Sequence, residues 1–148
     1  MPGRRAPASA VFQALESWTA NADPGIRYYS GTAVYHTKFT APAADSLELD
    51  LGEVRELAHV RVNAKDLGTL WKKPFRVALD GTAHPGVNEL EVAVTNFWPN
   101  RLIGDQRLPA AKRTTMTNIT KWKADSPLMP SELLGPVTVR RVRRVKLR

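Results

Sequence analysis

Several stretches of this chain alternate apolar and polar residues with a period of two, and that alternation constrains the fold more than any other feature. "TAVYHTKF" sets Ala33, Tyr35, Thr37 and Phe39 against Val34, His36 and Lys38. "SLELDLG" sets Leu47, Leu49 and Leu51 against Glu48 and Asp50, and "AHVRVN" sets Ala58, Val60 and Val62 against His59 and Arg61. "NELEVAVTN" repeats the scheme with Leu90, Val92 and Val94 opposite Glu89, Glu91 and Ala93, and "GPVTVRRV" closes the series. Successive strand side chains point to opposite faces, so each run predicts a half-buried strand. Pro42, Gly52, "NAKDLG" and the Pro85-Gly86 pair separate the runs with turn chemistry. With no long amphipathic helix between them, the strands predict an all-β, antiparallel sandwich or barrel.

The N-terminal region is less determinate. Residues 1–10, rich in Pro, Ala and Arg, read as an unstructured leader. Val11, Leu15 and Trp18 fall at i, i+4 and i+7, which fits a short helical turn. The same segment fits a sheet edge entered through Val11 and Phe12, and both readings stay open.

Bulk properties narrow the class of function. A chain of 148 residues with 43% hydrophobic content has the size and composition of one globular domain. It has no cysteine, so no disulfide framework and no thiolate metal site are expected. The opening "MPGRRAPASAVF" lacks the apolar core of a signal peptide, and no apolar run has the length of a membrane span. The net charge of +8 points first to nucleic acid, but the basic residues are concentrated at the two ends. "RRVRRVKLR" at 140–148 and Arg4 and Arg5 account for all of the excess, which leaves a neutral body. A salt-sensitive nucleic-acid reading therefore rests on the tail alone.

Chemistry-bearing patterns are few. Glu89 with Glu91, and Glu48 with Asp50, have the separation of a glycosidase carboxyl pair, but each alternates with Leu or Val as a solvent-facing strand does. His36, His59 and His84 are scattered, and no phosphate loop or nucleophile elbow is present. Asn118-Ile119-Thr120 matches the glycosylation pattern. The aromatic residues Trp18, Tyr28, Tyr29, Trp71, Trp98 and Trp122 fit either the plugged ends of a sandwich or a surface that stacks on sugar rings. "NFWPNRLIGDQ" is expected to be a rigid corner: Pro99 ends sheet pairing, Arg101 and Asp105 pair across a turn, and Asn100 caps local backbone.

Six blocks, taken in order, resemble a known family: "FQALESWT", "DPGIRYYSGTAVYHTKF", "LDLGEV", "VNAKDLGTLWKKPFRV", "HPGVNELEVAVTNFWPNRLIGDQ" and "SELLGPV". Together they look like the C-terminal β-sandwich of bacterial α-L-rhamnosidases of glycoside hydrolase family 106. They resemble, more distantly, the jelly-roll domain of family 2 glycosidases. The likeness runs from about Val11 to Val139, which sets a domain of 11–139 between the leader and a basic tail at 140–148. It implies a galactose-binding-like jelly roll that is not itself an enzyme, since the family's catalytic barrel lies upstream and has no counterpart here. The implied partner is the catalytic domain of a parent glycoside hydrolase, exported from the cell, with rhamnose-containing saccharides as ligands. Nucleic acid and membrane are not expected partners. No cofactor is implied, although a sandwich of this kind has room for calcium. Sugar-contacting or interface residues would be Trp98, Asn100, Arg101, Asp105, Gln106, Trp71 and Tyr28. An autonomous carbohydrate-binding module, or a small basic nucleic-acid-binding protein, would fit the same residues. One departure stands out: the family has Asn-Gly where this chain has Asn63-Ala64, so a type I′ turn here would place a Cβ at positive φ.

Overall fold

The computed structural model describes residues 6–44, 46–143 and 145. A four-stranded antiparallel sheet in the order β1-β7-β4-β5 is built from β1 (Thr32–Ala41), β4 (Leu57–Val62), β5 (Lys65–Leu70) and β7 (Gly86–Thr95). Facing it are a three-stranded sheet of β6 (Arg76–Ala78), β2 (Leu47–Asp50) and β9 (Thr138–Arg141), and a two-stranded sheet of β3 (Glu53–Arg55) and β8 (Glu132–Gly135). The molecule is an all-β sandwich. Two short helices, α1 (Pro24–Arg27) and α2 (Pro99–Gln106), lie outside the sheets.

The period-two runs identify the core. Ala58, Val60 and Val62 from β4 and Leu90, Val92 and Val94 from β7 are buried. They belong to one apolar cluster with Leu47, Leu49, Leu51, Val54 and Leu133 from the opposite layer. Each buried Val or Leu side chain contributes about 1.5–3 kcal/mol when removed from water. β1 and β7 pair over their full lengths, from Thr32↔Thr95 to Ala41↔Gly86, and form the spine of the larger sheet.

Four strands had no sequence counterpart. "NAKDLG" reads as a turn, yet only Asn63 and Ala64 turn the chain, and Lys65–Leu70 returns as β5 beside β4. β3, β6 and β8 are three or four residues long, too short to show a period. Asp50, expected to face solvent, is 6% exposed. Its carboxylate accepts from Gly52 N–H at 2.9 Å and from Arg76 Nε at 2.8 Å, and lies 2.9 Å from Arg140 Nη2. The Gly52 amide, reinforced by the two guanidiniums, holds that carboxyl below its ordinary value.

The N-terminal segment adopts neither expected form over residues 11–17. It runs irregularly to a 3₁₀ turn at Trp18–Ala20. There the Trp18 ring stacks on Phe12 at 5.7 Å and packs on Tyr29 and Tyr35 at 5.4 and 6.1 Å.

Candidate functional site

Most of the expected corner "NFWPNRLIGDQ" is instead a helix, α2, from Pro99 to Gln106. Pro99 stands at its first position, where the missing N–H costs nothing because that amide would have no intrahelical partner. Proline thus opens α2 rather than only ending β7. Arg101 and Asp105 pair at 2.8 Å, but along the helix at i, i+4 instead of across a turn. Asn100 does not cap local backbone. Its amide donates to Met129 C=O at 2.7 Å and accepts from Met129 N–H at 2.8 Å, a two-point grip on a segment far along the chain.

α2 buries Asn100, Leu102, Ile103, Gly104 and Asp105. Gly104 lies under Tyr28: a Cβ there would stand 2.6 Å from Tyr28 Cγ and 2.8 Å from Arg101 Nη2. Arg107 lies over the Tyr28 ring, 5.8 Å from its centroid. Asp105 is 2% exposed and accepts from both the backbone N–H and the hydroxyl of Thr114 and of Thr115, the closest at 2.6 Å from Thr115 Oγ1. Burial alone would raise its pKa, but the Thr115 hydroxyl, the Arg101 guanidinium and the two amides outweigh it and hold the carboxyl below its ordinary value.

Asn96 joins three separated stretches. Its Oδ1 accepts from Gly31 N–H at 3.0 Å, and its Nδ2 donates to Tyr29 C=O at 3.0 Å and to Ser131 Oγ at 2.7 Å. The blocks "GIRYYSG", "NFWPNRLIGDQ" and "SELLG" are therefore brought together at one end of the sandwich.

The residues expected to contact sugar or a partner divide into two groups. Asn100, Arg101 and Asp105 are committed to the internal bonds just described, and Gln106 and Tyr28 are partly buried. Trp98 and Trp71 are 70% and 67% exposed, and Phe97, which sequence reasoning passed over, is 59% exposed. Strand register puts these three at the same end of the four-stranded sheet. Leu57 pairs with Thr95, which precedes Phe97 and Trp98 by two and three residues, and Ala58 pairs with Leu70, which precedes Trp71.

Carboxylate chemistry has no assembled site on the outer sheet face. Glu91 lies 3.7 Å from His36 and 3.5 Å from Arg61, and Glu89 lies 3.6 Å from Lys38, all across neighbouring strands, with Glu91 and Arg61 half-buried. They rim a shallow open groove of about 400 Å³. Among the described residues, no group of three or more His, Asp or Glu side chains is placed to hold a metal ion.

One buried acid had no signal in the sequence. Glu132, the first residue of β8, is 0% exposed at φ +80°, and neither carboxyl oxygen has a hydrogen-bond partner. Desolvation pushes its pKa up to about 8, and its charge in turn helps raise the phenols of Tyr29 and Tyr35, whose own burial is the larger cause.

Comparison with known proteins finds this architecture as a part of larger glycoside hydrolases. No model of a known protein family matches the chain. A solved rhamnosidase from Novosphingobium sp. PP1Y matches 94% of the chain with a TM-score of 0.85 and 43% identity. A protein of Formosa agariphila, provisionally named a beta-glucuronidase, is 40% identical over 86% of the chain. A solved beta-glucuronidase from an uncultured Clostridium sp. matches 56% of the chain at 27% identity and a TM-score of 0.51. The chain spans only 13–15% of the length of these proteins. It is thus similar to one part of much larger glycoside hydrolases.

Proposed function

We propose that this chain is the accessory β-sandwich of an α-L-rhamnosidase-type glycoside hydrolase, a jelly-roll module without chemistry of its own that supports a catalytic domain and helps shape its sugar cleft. One observation carries the reading: nearly the whole chain superimposes on a small part of the Novosphingobium rhamnosidase at a TM-score of 0.85. The weaker superposition on the Clostridium beta-glucuronidase, at 0.51 over 56% of the chain, favours the rhamnosidase side. The internal commitments of Asn100, Arg101 and Asp105 also fit a module that positions structure rather than one that reacts.

The test is a chimera in which this chain replaces the matched segment of the Novosphingobium rhamnosidase. A soluble chimera that hydrolyses an aryl α-L-rhamnoside, beside an enzyme lacking the segment that does not, is the expected result. A folded but inactive chimera would refute the reading.

The exposure of Trp71 and Trp98 favours a second reading, an autonomous carbohydrate-binding module. Calorimetric titration with L-rhamnose and rhamnose-containing oligosaccharides separates the two. Salt-insensitive binding abolished by Trp98→Ala would assign the indole to sugar, whereas no heat would leave it to protein contact.

A further inference from the structure

We propose that the α2 end of the sandwich is a preformed docking face for the catalytic module of a glycoside hydrolase, with Trp71, Phe97 and Trp98 as its anchors. This rests on the accessory-module reading above and names the surface through which it acts.

The first ground is the clustering of exposed apolar side chains. Phe97, Trp98 and Trp71 are each more than half exposed, and Leu57 and Met129, at 39% and 38%, lie at the same end. Strands in a sheet are about 4.8 Å apart, so the exits of β7 and β5, which flank β4, are separated by roughly 10 Å. An aromatic side chain presents 150–250 Å², so the three rings alone expose on the order of 400 Å². A stable interface buries about 800 Å² on each partner, so these rings supply around half of one side. The largest apolar patch on a monomer is of this size and is often a functional contact site.

The second ground is a long arm fixed beside the patch. Residues 116–128 contain no helix or strand, and an irregular connection of this length is usually functional or disordered. This one is pinned at both feet by buried side chains of α2: Asp105 takes Thr114 and Thr115 at the start, and Asn100 takes Met129 at the end. Met129 and Phe97 line one small groove, so the arm rises from the edge of the apolar patch. Two buried polar side chains spent on holding a loop reduce the ordering cost of any contact the loop makes.

The third ground decides the occupant. The relatives carry the matched region inside chains of which it is 13–14%, so the remainder of a glycoside hydrolase is the protein surface within reach of this end. An exposed apolar face with aromatic anchors suits the apolar centre of a protein surface.

The experiment uses the same Novosphingobium chimera, with a specific protease site at the junction between this chain and the rest. Trp71→Ser with Trp98→Ser is compared with Val87→Ser, an exposed position at the opposite end of the sheet, where Val87 pairs with Thr40. The junction of the paired variant is expected to be cut at least about tenfold faster than that of the wild type, since cutting tracks the undocked population. Val87→Ser should leave the rate unchanged. In the isolated chain, at a concentration low enough to keep it monomeric, none of these substitutions should shift Tm. Trp71→Lys alone, remote in sequence from α2, is expected to reproduce the effect. Equal cutting rates in an active chimera would overturn the docking face and leave the accessory-module reading standing. A wild-type chimera that does not fold would overturn both.

Discussion

At the scale of single residues, two positions hold conformations that their chemistry disfavours, and both can be tested. Asn63 and Ala64 sit at φ +49° and +63°, so the β4–β5 hairpin is a type I′ turn despite its alanine. The Asn63 side chain compensates on its side of the turn. Its amide donates to Thr82 C=O and Asn88 Oδ1 and accepts from Glu89 N–H, which ties the turn to β7. Ala64 has no such bond and bears the cost of a left-handed Cβ, about 1–2 kcal/mol, part of which glycine would return as unfolded-chain entropy. Ala64→Gly is therefore expected to stabilise the chain by about 0.5–1 kcal/mol, a rise of roughly 2–4 °C in Tm on thermal unfolding. Glu132 is the second case. Its folded pKa of about 8 lies above the ordinary 4.5, so between those values the folded state holds a proton that the unfolded state has released. Stability must then fall as pH rises from 4.5 to 8 and stay flat above, with a total loss of roughly 5 kcal/mol. The Tyr29 and Tyr35 phenols, coupled to it, have raised pKa values and remain neutral over that window, and Arg55, its cross-strand partner, keeps its charge throughout. Urea midpoints at pH 5 and pH 9 should differ in the wild type, and Glu132→Gln should remove most of the difference. An unchanged pH slope in that variant would show that Glu132 is not its source.

At the scale of elements, α2 shows where packing overrides local preference. In a free helix Ala is favoured over Gly by about 1 kcal/mol, so Gly104→Ala would stabilise α2 if propensity decided. The Tyr28 ring, 2.6 Å from where that Cβ would stand, decides otherwise. Overpacking of this kind costs about 1–3 kcal/mol, and a net loss in Tm is expected; a gain would mean that Tyr28 moves aside freely. Asp105 acts on the next element along the chain. Asp105→Ala leaves Arg101 unpaired and releases Thr114 and Thr115, which should cost about 3–5 kcal/mol. Its distinguishing mark is local: hydrogen exchange at residues 114–115 should accelerate well beyond that of the β4 and β7 core. Uniform acceleration through the whole chain would instead mean that Asp105 supports the global fold and not the arm in particular. The depressed folded pKa of Asp105 also fixes the sign of its acid dependence. Its contribution is complete above the ordinary carboxyl range and is lost as pH falls through that lower value.

For the whole molecule, what could be read in the sequence follows from which physical signal each part carries. β1, β2, β4 and β7 were legible because one face of each meets the core, and burial imposes a period of two on their residues. α2 was hidden because an eight-residue helix that begins with proline and contains a glycine has poor local propensity, and its formation depends on Tyr28, Met129 and Thr115. The burial of Asp50 and Glu132 depends on strands β9 and β3, whose pairing leaves no trace in a window of neighbours. Of the expected contact residues, Trp71 and Trp98 could be named from aromatic content, but their shared location is a matter of register. That register also predicts how the isolated chain behaves. With Trp71, Phe97 and Trp98 uncovered at one end and the net charge of +8 concentrated at the termini, short-range attraction there is opposed only by screened repulsion. Sedimentation velocity should show association that grows with concentration and strengthens as salt rises from 50 to 500 mM, because the charge term weakens while the apolar term does not. Trp98→Lys should return the chain to a monomer under both conditions. If instead added salt dissolves the association, the basic tail binding an acidic surface is its cause, and the aromatic end is not a contact surface in the free chain.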